Sequence, residues 1–348
     1  MVHKEVLVIG AGQCGLAAGR FLQKKKVDFI ILEKNKQIGD NWRKRYDSLT
    51  LFTPAGLSAL PDLPMALSKN SRPTKNQMAD YFDRYVDHFD LPVSANEEVH
   101  EIRKENGLFV VTTSREKYTV KKIIHAAGFC EKPSFPEWVA DLTIPYIHSN
   151  NYKSPISIKG KKILLVGTGN SAAQIGAELT KYFSIDWSTN RKPKFSSLHM
   201  FGRNILTLAR TFGQLDKPAT EKTINNGEAI YLFDDLKRHL KKAKRKKSVT
   251  KAEGGSVIFE GGETGKYDFI LFATGFKPNF DFIRIPEFEN DLHQLRRQKG
   301  FSEVSGLYFL GIPYQRSRSS QLIYGSQKDA AFIVDDLVKV LSDQPQPV

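Results

Sequence analysis

Val6-Leu-Val-Ile-Gly10-Ala-Gly12-Gln-Cys14-Gly15 begins five residues into the chain and carries the pattern of a strand, a glycine turn and a helix. The apolar run reads as a strand buried on both faces, as strands of a parallel sheet are. The glycines read as a strand-to-helix turn, and Leu16–Lys24 supplies the helix. Gly10 makes the tight turn, Gly12 lets a pyrophosphate approach the backbone, and Gly15 lets helix pack closely on strand. The helix N-terminus then faces the phosphates. Phe29–Leu32 makes a second apolar strand, ended by Glu33. Glu33 lies 23 residues past Gly10, where a carboxylate binds a ribose hydroxyl.

Around that stretch the chain has ordinary globular proportions. Its 348 residues suffice for two domains, with 40% hydrophobic content. No apolar run approaches 18 residues, so no membrane span is expected. The first strand starts at once, leaving no signal peptide, and Cys14 and Cys130 cannot make a disulfide framework. A reducing cytoplasm is the expected compartment. The net charge of +14 is uneven, with eight Lys and Arg residues in 237–247. Ala229, Phe233, Leu236, Leu240 and Ala243 recur at helical spacing, which predicts an amphipathic helix with a basic, solvated face. Nucleic-acid binding is not expected, because no aromatics interleave with those lysines.

Between the first unit and the middle of the chain, Gly39-Asp-Asn41-Trp42-Arg-Lys-Arg-Tyr46 leads to Ser48-Leu-Thr-Leu-Phe52-Thr53-Pro54. The stretch Pro54–Pro64 reads as an ordered loop that must bury Leu57, Leu60 and Leu63. A helix is expected from Lys75 to about His88. Leu108–Thr113 and Lys117–Val120 read as a hairpin, and Lys121–Ala127 as a separate buried strand before Gly128-Phe129.

The opening pattern then returns. Lys162–Val166 is a strand, and Gly167-Thr-Gly169-Asn170-Ser171-Ala172 a second glycine turn opening the helix Ala173–Tyr182. Alanine in the third place is tolerated by the motif. At the offset of Glu33, this copy has neutral Asn190, followed by Arg191 and Lys192. A carboxylate suits a free ribose 2′-hydroxyl, whereas arginine matches a 2′-phosphate in a bidentate fork. Copy one is therefore expected to hold the dinucleotide without that phosphate and copy two to hold NADPH. Strand Tyr267–Thr274 closes the second unit at Gly275-Phe276, echoing Ala126-Ala127-Gly128-Phe129 as if the chain crosses between domains after each. A last strand lies in Gly306–Gly311. A terminal helix is expected from Ser319 to about Leu341, its N-terminus suited to the electron-rich end of a flavin.

Together the two glycine turns, Gly39-x-x-Trp42, the paired Ala-(Ala/Thr)-Gly-Phe junctions and Gly306-Leu-Tyr-Phe-Leu-Gly311 resemble the flavin-containing monooxygenases. The similarity is to small bacterial members related to Baeyer–Villiger monooxygenases, and it covers nearly the whole chain. It implies an α/β fold of two Rossmann-like dinucleotide-binding domains, the NADP domain (155–274) inserted into the FAD domain (1–154 and 275–348). It places FAD against Gly10, Gly12, Cys14, Gly15, Glu33, Lys34, Gly39, Asn41 and Trp42, and further against Thr53, Val99, Ala127, Gly128, Gln321 and Leu322. NADP(H) falls against Gly167, Gly169, Asn170, Ser171, Gln174, Asn190, Arg191, Lys192, Thr274 and Gly275. No metal is implied. In the family, reduced flavin reacts with oxygen to a C4a-hydroperoxide, and the oxygen goes to small sulfides, amines or ketones.

The resemblance has two departures. Of the family's identifying motif, Leu142, Ile144, His148 and Tyr152 keep only the second half, and His148 reads as structural. Where eukaryotic members place an Asn beside the flavin edge, this chain has Phe52, whose ring cannot hydrogen-bond. Phe52 is thus expected to shape the substrate face, and an NADPH oxidase releasing hydrogen peroxide is the main alternative. Disulfide reduction lacks a dithiol. The expected partners are a small molecule and molecular oxygen; a homodimer stays open.

Overall fold

The structure, a computed structural model, describes residues 1–227 and 229–342. The first part of the chain runs β1 (Val2–Ile9), α1 (Gln13–Lys24), β2 (Phe29–Glu33), the single turn α2 (Asp40–Arg43) and α3 (Lys75–Phe89). It continues through β3 (Val93–Ala95), β4 (Val99–Glu105), β5 (Leu108–Thr113) and β6 (Lys117–His125). These strands form one sheet in the order β3-β2-β1-β6-β5-β4, with Leu307–Phe309 also beside β6. β1 sits at its centre because Val6, Leu7 and Val8 are fully buried, with parallel partners on both sides.

The expected hairpin strand at 117–120 and the separate strand at 121–127 are one element of nine residues. Its first half pairs antiparallel with β5 while the whole length runs parallel to β1. Lys117–Val120 alternates because it lies near the sheet's wet end, whereas Ile123–His125 is covered on both faces. The change of pattern marks a change of burial within one strand.

The loop at 54–64 is ordered by tyrosines of α3. Thr74 caps that helix in a box with Gln77, and Tyr81, Phe82 and Tyr85 are buried. The Tyr81 hydroxyl donates to Leu63 O and accepts from Leu60 N, at 2.6 and 2.7 Å, and the Tyr85 hydroxyl donates to Pro61 O at 2.8 Å. Leu57 and Leu60 are buried as expected, Leu63 partly.

A second, parallel sheet orders Lys244–Lys246, Ser184–Ser188, Lys162–Val166, Phe269–Phe272 and Tyr146–His148. It takes in Tyr146–His148, ahead of residue 155, and the helix Asn170–Leu179 packs on it. The chain passes into this unit after Gly128 and out of it after Gly275. The two crossing segments, Lys132–Pro133 and Phe276–Lys277, pair with each other antiparallel.

The basic helix expected over 237–247 is not one helix. Leu236–Leu240 is a short helix, and Lys244–Lys246 is an edge strand beside Ser184–Ser188. The apolar positions do point inward, since Phe233, Leu236, Leu240 and Ala243 are all buried. The helix stops because an open parallel edge takes the next residues as a strand. Lys246 is drawn in with them, its amine held by Glu263 and 4.0 Å from Asp186. The terminal helix runs Ile323–Ser342, preceded by a 3-10 turn at Arg318–Gln321, and packs on α1.

Candidate functional site

The turn after β1 has little spare room. Gly10 has φ +99°, and a Cβ there would lie 2.8 Å from Ala126 O. A Cβ on Gly15 would stand 1.8 Å from Gly10 O, so Gly15 lets the helix close on the turn itself. At Gly12, by contrast, the nearest atom to a Cβ would be Asn41 Nδ2 at 3.5 Å. That open side faces a cavity of about 590 Å³, within the range of cofactor sites.

The cavity gathers most of the expected first-site residues: Gly10, Gly12, Cys14, Glu33, Lys34, Asn41, Trp42, Val99, Ala127, Gly128, Gln321 and Leu322 all line it. The Glu33 carboxylate ends β2 and accepts from Ala11 N at 2.9 Å, and from Asn35 N and Nδ2 at 2.9 and 2.6 Å. Those bonds fix its direction toward the cavity end. Lys34 is paired with Glu131 at 2.5 Å. The Trp42 indole N–H is buried without a hydrogen-bond partner among the described residues, an unspent donor on a lining residue.

Three expected contacts are placed elsewhere. Gly15 serves the turn, and Gly39 packs against Ala79 of α3, where a Cβ would come within 2.7 Å of backbone. Thr53 is buried, its hydroxyl 2.9 Å from that of Ser58. Sequence reasoning also missed Glu97, Glu98 and Glu131, which line the end near Glu33. No spacing rule marks them, because they come from connections after β3 and β6.

At the far end of the cavity, Ser320, Gln321, Leu322 and Ser326 bring the start of the terminal helix to the wall. Behind them Asp329, 2% exposed, has its carboxyl raised to about 6 by burial, against the pull of Ser320 and Arg316. Burial and then that carboxyl push the Cys14 thiol up to about 12. His125 ends β6 inside a box of Phe280, Phe282 and Phe309, with ring centroids 5.2, 5.7 and 5.1 Å away. Burial lowers it to about 4.

The second turn repeats the first. Gly167 has φ +145° and its Cβ would lie 2.2 Å from Ala273 O, while around Gly169 nothing comes within 4 Å. Thr168 Oγ1 donates to Asn190 Oδ1 at 2.7 Å. The equal-offset comparison needs correcting by one residue, because Ile9 is opposite Leu32 but Val166 is opposite Ser188. The counterpart of Glu33 by register is therefore Thr189, since the second crossover is one residue shorter. Asn190, Arg191 and Lys192 follow on the exposed loop, with Arg191 Nη1 3.5 Å from Asn225 O. Asn170 is tied to the 229–231 segment by bonds to Ala229 O and from Tyr231 N. Ser171 is exposed at the helix start, and Gln174 accepts the Tyr46 hydroxyl at 3.2 Å.

The remaining expected residues lie at the junction of the units. Thr274 donates to Ser134 O, joining the two crossing segments just before Gly275. His148 is buried, lowered to about 4 mainly by desolvation, with Phe276 4.9 Å away, as a structural residue would be. Phe52 does not line the cavity. It stacks on Tyr231 at 4.9 Å and packs on the cluster of Leu57, Leu206, Leu215, Leu322 and Tyr324, of which Leu322 also lines the cavity.

Among the described residues no helix is long and apolar enough to cross a membrane. The chain is 35% identical over 341 residues to an uncharacterized CzcO-like oxidoreductase of Geobacillus kaustophilus, covering 96% of this chain and 98% of that one. It is 26% identical to a probable indole-3-pyruvate monooxygenase of Arabidopsis thaliana, covering 95% and 86%. A flavin-containing monooxygenase of Stenotrophomonas maltophilia shares the fold, with a TM-score of 0.84 at 22% identity, covering 98% and 100%. The model of the pyridine nucleotide-disulphide oxidoreductases matches residues 7–311. With two glycine turns, one open cavity and that match over most of its length, the chain belongs to the pyridine nucleotide-disulphide oxidoreductase family.

Proposed function

We propose that this oxidoreductase is a monooxygenase that uses FAD and NADPH to oxidise small sulfides, amines or ketones. The observation that carries it is the cavity running from Glu33 past the open side of Gly12 to Gln321 and Leu322. Glu33 would hold the ribose hydroxyls, the α1 N-terminus and the Trp42 N–H would hold the pyrophosphate, and the start of the terminal helix would offer its positive end to the ring system. Bound flavin supplies the path of electrons from nicotinamide to oxygen. The protein's own part is to exclude water and hold the two dinucleotides in register. Gly169 and the helix behind it take the NADPH pyrophosphate, and Arg191 with Lys192 its 2′-phosphate. In this reading FAD belongs to residues 1–154 with 275–348 and NADPH to 155–274, with Tyr146–His148 of the first set serving as a strand of the second sheet.

A second reading is an NADPH oxidase that releases hydrogen peroxide, which would follow if Phe52, outside the cavity wall here, came to bound the reacting centre. Its ring is committed to Tyr231 and offers no donor. Disulfide reduction is the weaker reading, since burial pushes the Cys14 thiol up to about 12 and Cys14 forms no disulfide with Cys130, the other cysteine on the cavity wall.

The test is product analysis during aerobic NADPH turnover of the purified yellow protein, with methyl phenyl sulfide present. Sulfoxide accounting for most of the NADPH supports the monooxygenase, and peroxide alone supports the oxidase. Protein that takes up no FAD sinks both.

A further inference from the structure

Two adjacent residues face the two nucleotide sites. Arg45, half-buried, lines the flavin cavity. Its Nε donates to Asn41 O at 3.3 Å, one turn back, and its guanidinium carbon lies 5.5 Å from the centre of the Phe276 ring. Arg43 is paired with Asp83 and Lys75 with Asp47, whereas Arg45 is in no ion pair among the described residues; its neighbour Lys44, also on the cavity wall, has its amine on Asn35. Tyr46 turns the other way. It is 3% exposed, packs with Ala172 and Ala173 in the core of the inserted unit, and donates to Gln174 in the helix opened by the second glycine turn. The single peptide between Arg45 and Tyr46 thus spans from the cavity wall to the second turn.

A half-buried guanidinium with no carboxylate leaves its N–H groups available to an anion in the cavity. Arginine's planar fork matches phosphate oxygens in pairs. Resting on the reading that the second turn takes NADPH, we propose that Arg45 binds the nicotinamide-side phosphate of that dinucleotide and so aims the nicotinamide into the flavin cavity. The Tyr46–Gln174 bond holds Arg45 at a fixed place relative to the second turn. Nothing in the glycine motif or the 2′-phosphate loop supplies this contact.

The test titrates FAD-loaded protein with NADP⁺ and with 2′,5′-ADP, which keeps the 2′-phosphate but lacks the nicotinamide side. Arg45→Met should weaken NADP⁺ about ten- to 100-fold, as for a lost charge-assisted bond. It should leave 2′,5′-ADP within about two-fold of wild type, and Arg45→Lys should recover part of the loss. Arg191→Ala should weaken both ligands together. Equal losses of both ligands in Arg45→Met would make the arginine structural and overturn the proposal. So would unchanged NADP⁺ binding, or FAD content that falls with the substitution, which would assign Arg45 to the flavin phosphates. Wild-type protein that binds neither ligand would instead remove the NADPH reading itself.

Discussion

The two glycine turns are the same device built to different tolerances. Gly10 and Gly167 both need a positive φ and lie under the carbonyl of an alanine, Ala126 or Ala273. Gly12 and Gly169 both leave open space. Nine residues past each first glycine, Gly19 and Gly176 bring helix onto strand, where a Cβ would stand 2.6 Å from Ile31 Cδ1 or 2.7 Å from Leu165 Cδ2. The copies part at the third place, where Gly15 has no room for a Cβ and Ala172 carries one. They part again opposite the last residue of the first strand, where Ile9 faces His125 and Val166 faces Phe272. Backbone needs are held in common, then, while side chains differ where the ligand or the neighbouring sheet differs.

Exchanging residues between the copies breaks the comparison most sharply at Gly15. Gly15→Ala forces a methyl against Gly10 O and should cost about 3 kcal/mol or more, with loss of FAD uptake. The reverse exchange, Ala172→Gly, should cost only about 1 kcal/mol, the helix propensity difference. Chemical denaturation of both variants decides whether the first copy is the tighter one.

His125→Phe puts the second copy's residue into the first. His125 is buried neutral, lowered from 6.5 to about 4. The unfolded chain takes up a proton below pH 6.5, so this contribution to stability is full above that value and is lost as pH falls to 4. The loss reaches about 3 kcal/mol. Melting temperatures from pH 7 to pH 4 should fall less steeply in the variant. An unchanged slope would assign the acid sensitivity to other groups.

Arg191→Ala sharpens the difference between the ligands. NADPH should bind roughly ten- to 150-fold more weakly, the equivalent of about 1.5–3 kcal/mol, with NADH nearly untouched. Similar losses for both would give the arginine a structural role at Asn225.

Phe52→Asn tests the face between the units and has the smallest expected effect. Losing the stack on Tyr231 should lower the unfolding free energy by about 1 kcal/mol. If Phe52 also bounds the reacting centre, the amide adds a donor, and the peroxide fraction of NADPH turnover should drop. A lower melting temperature with an unchanged peroxide fraction would leave Phe52 as packing alone.

Much of the first site was legible because Gly10, Gly12 and Glu33 answer to short-range backbone rules. What escaped was set by tertiary partners. Lys244–Lys246 became a strand because Ser184–Ser188 offered a free edge, which no local periodicity records. Thr53 looked available, but Ser58 takes its hydroxyl. Asn190 was matched by counting, while the sheet register, shorter by one residue in the second crossover, makes Thr189 the counterpart of Glu33. Glu97 sits near the cavity end because it accepts from Thr113 and Ser94, each at 2.6 Å, and those bonds join separate elements.

The pairing of Lys132–Pro133 with Phe276–Lys277 brings the two ends of the inserted unit together. Adjacent strands lie about 5 Å apart, so everything from Ser134 to Gly275 begins and ends at almost one point. Such a module can be exchanged for another whose ends meet at the same point, provided the newcomer also covers Tyr46, Leu49 and Phe52, which pack into this one. A shortened chain joining Pro133 to Phe276 should keep the β1 to β6 framework if Tyr46, Leu49 and Phe52 are made polar, because their cover leaves with the module.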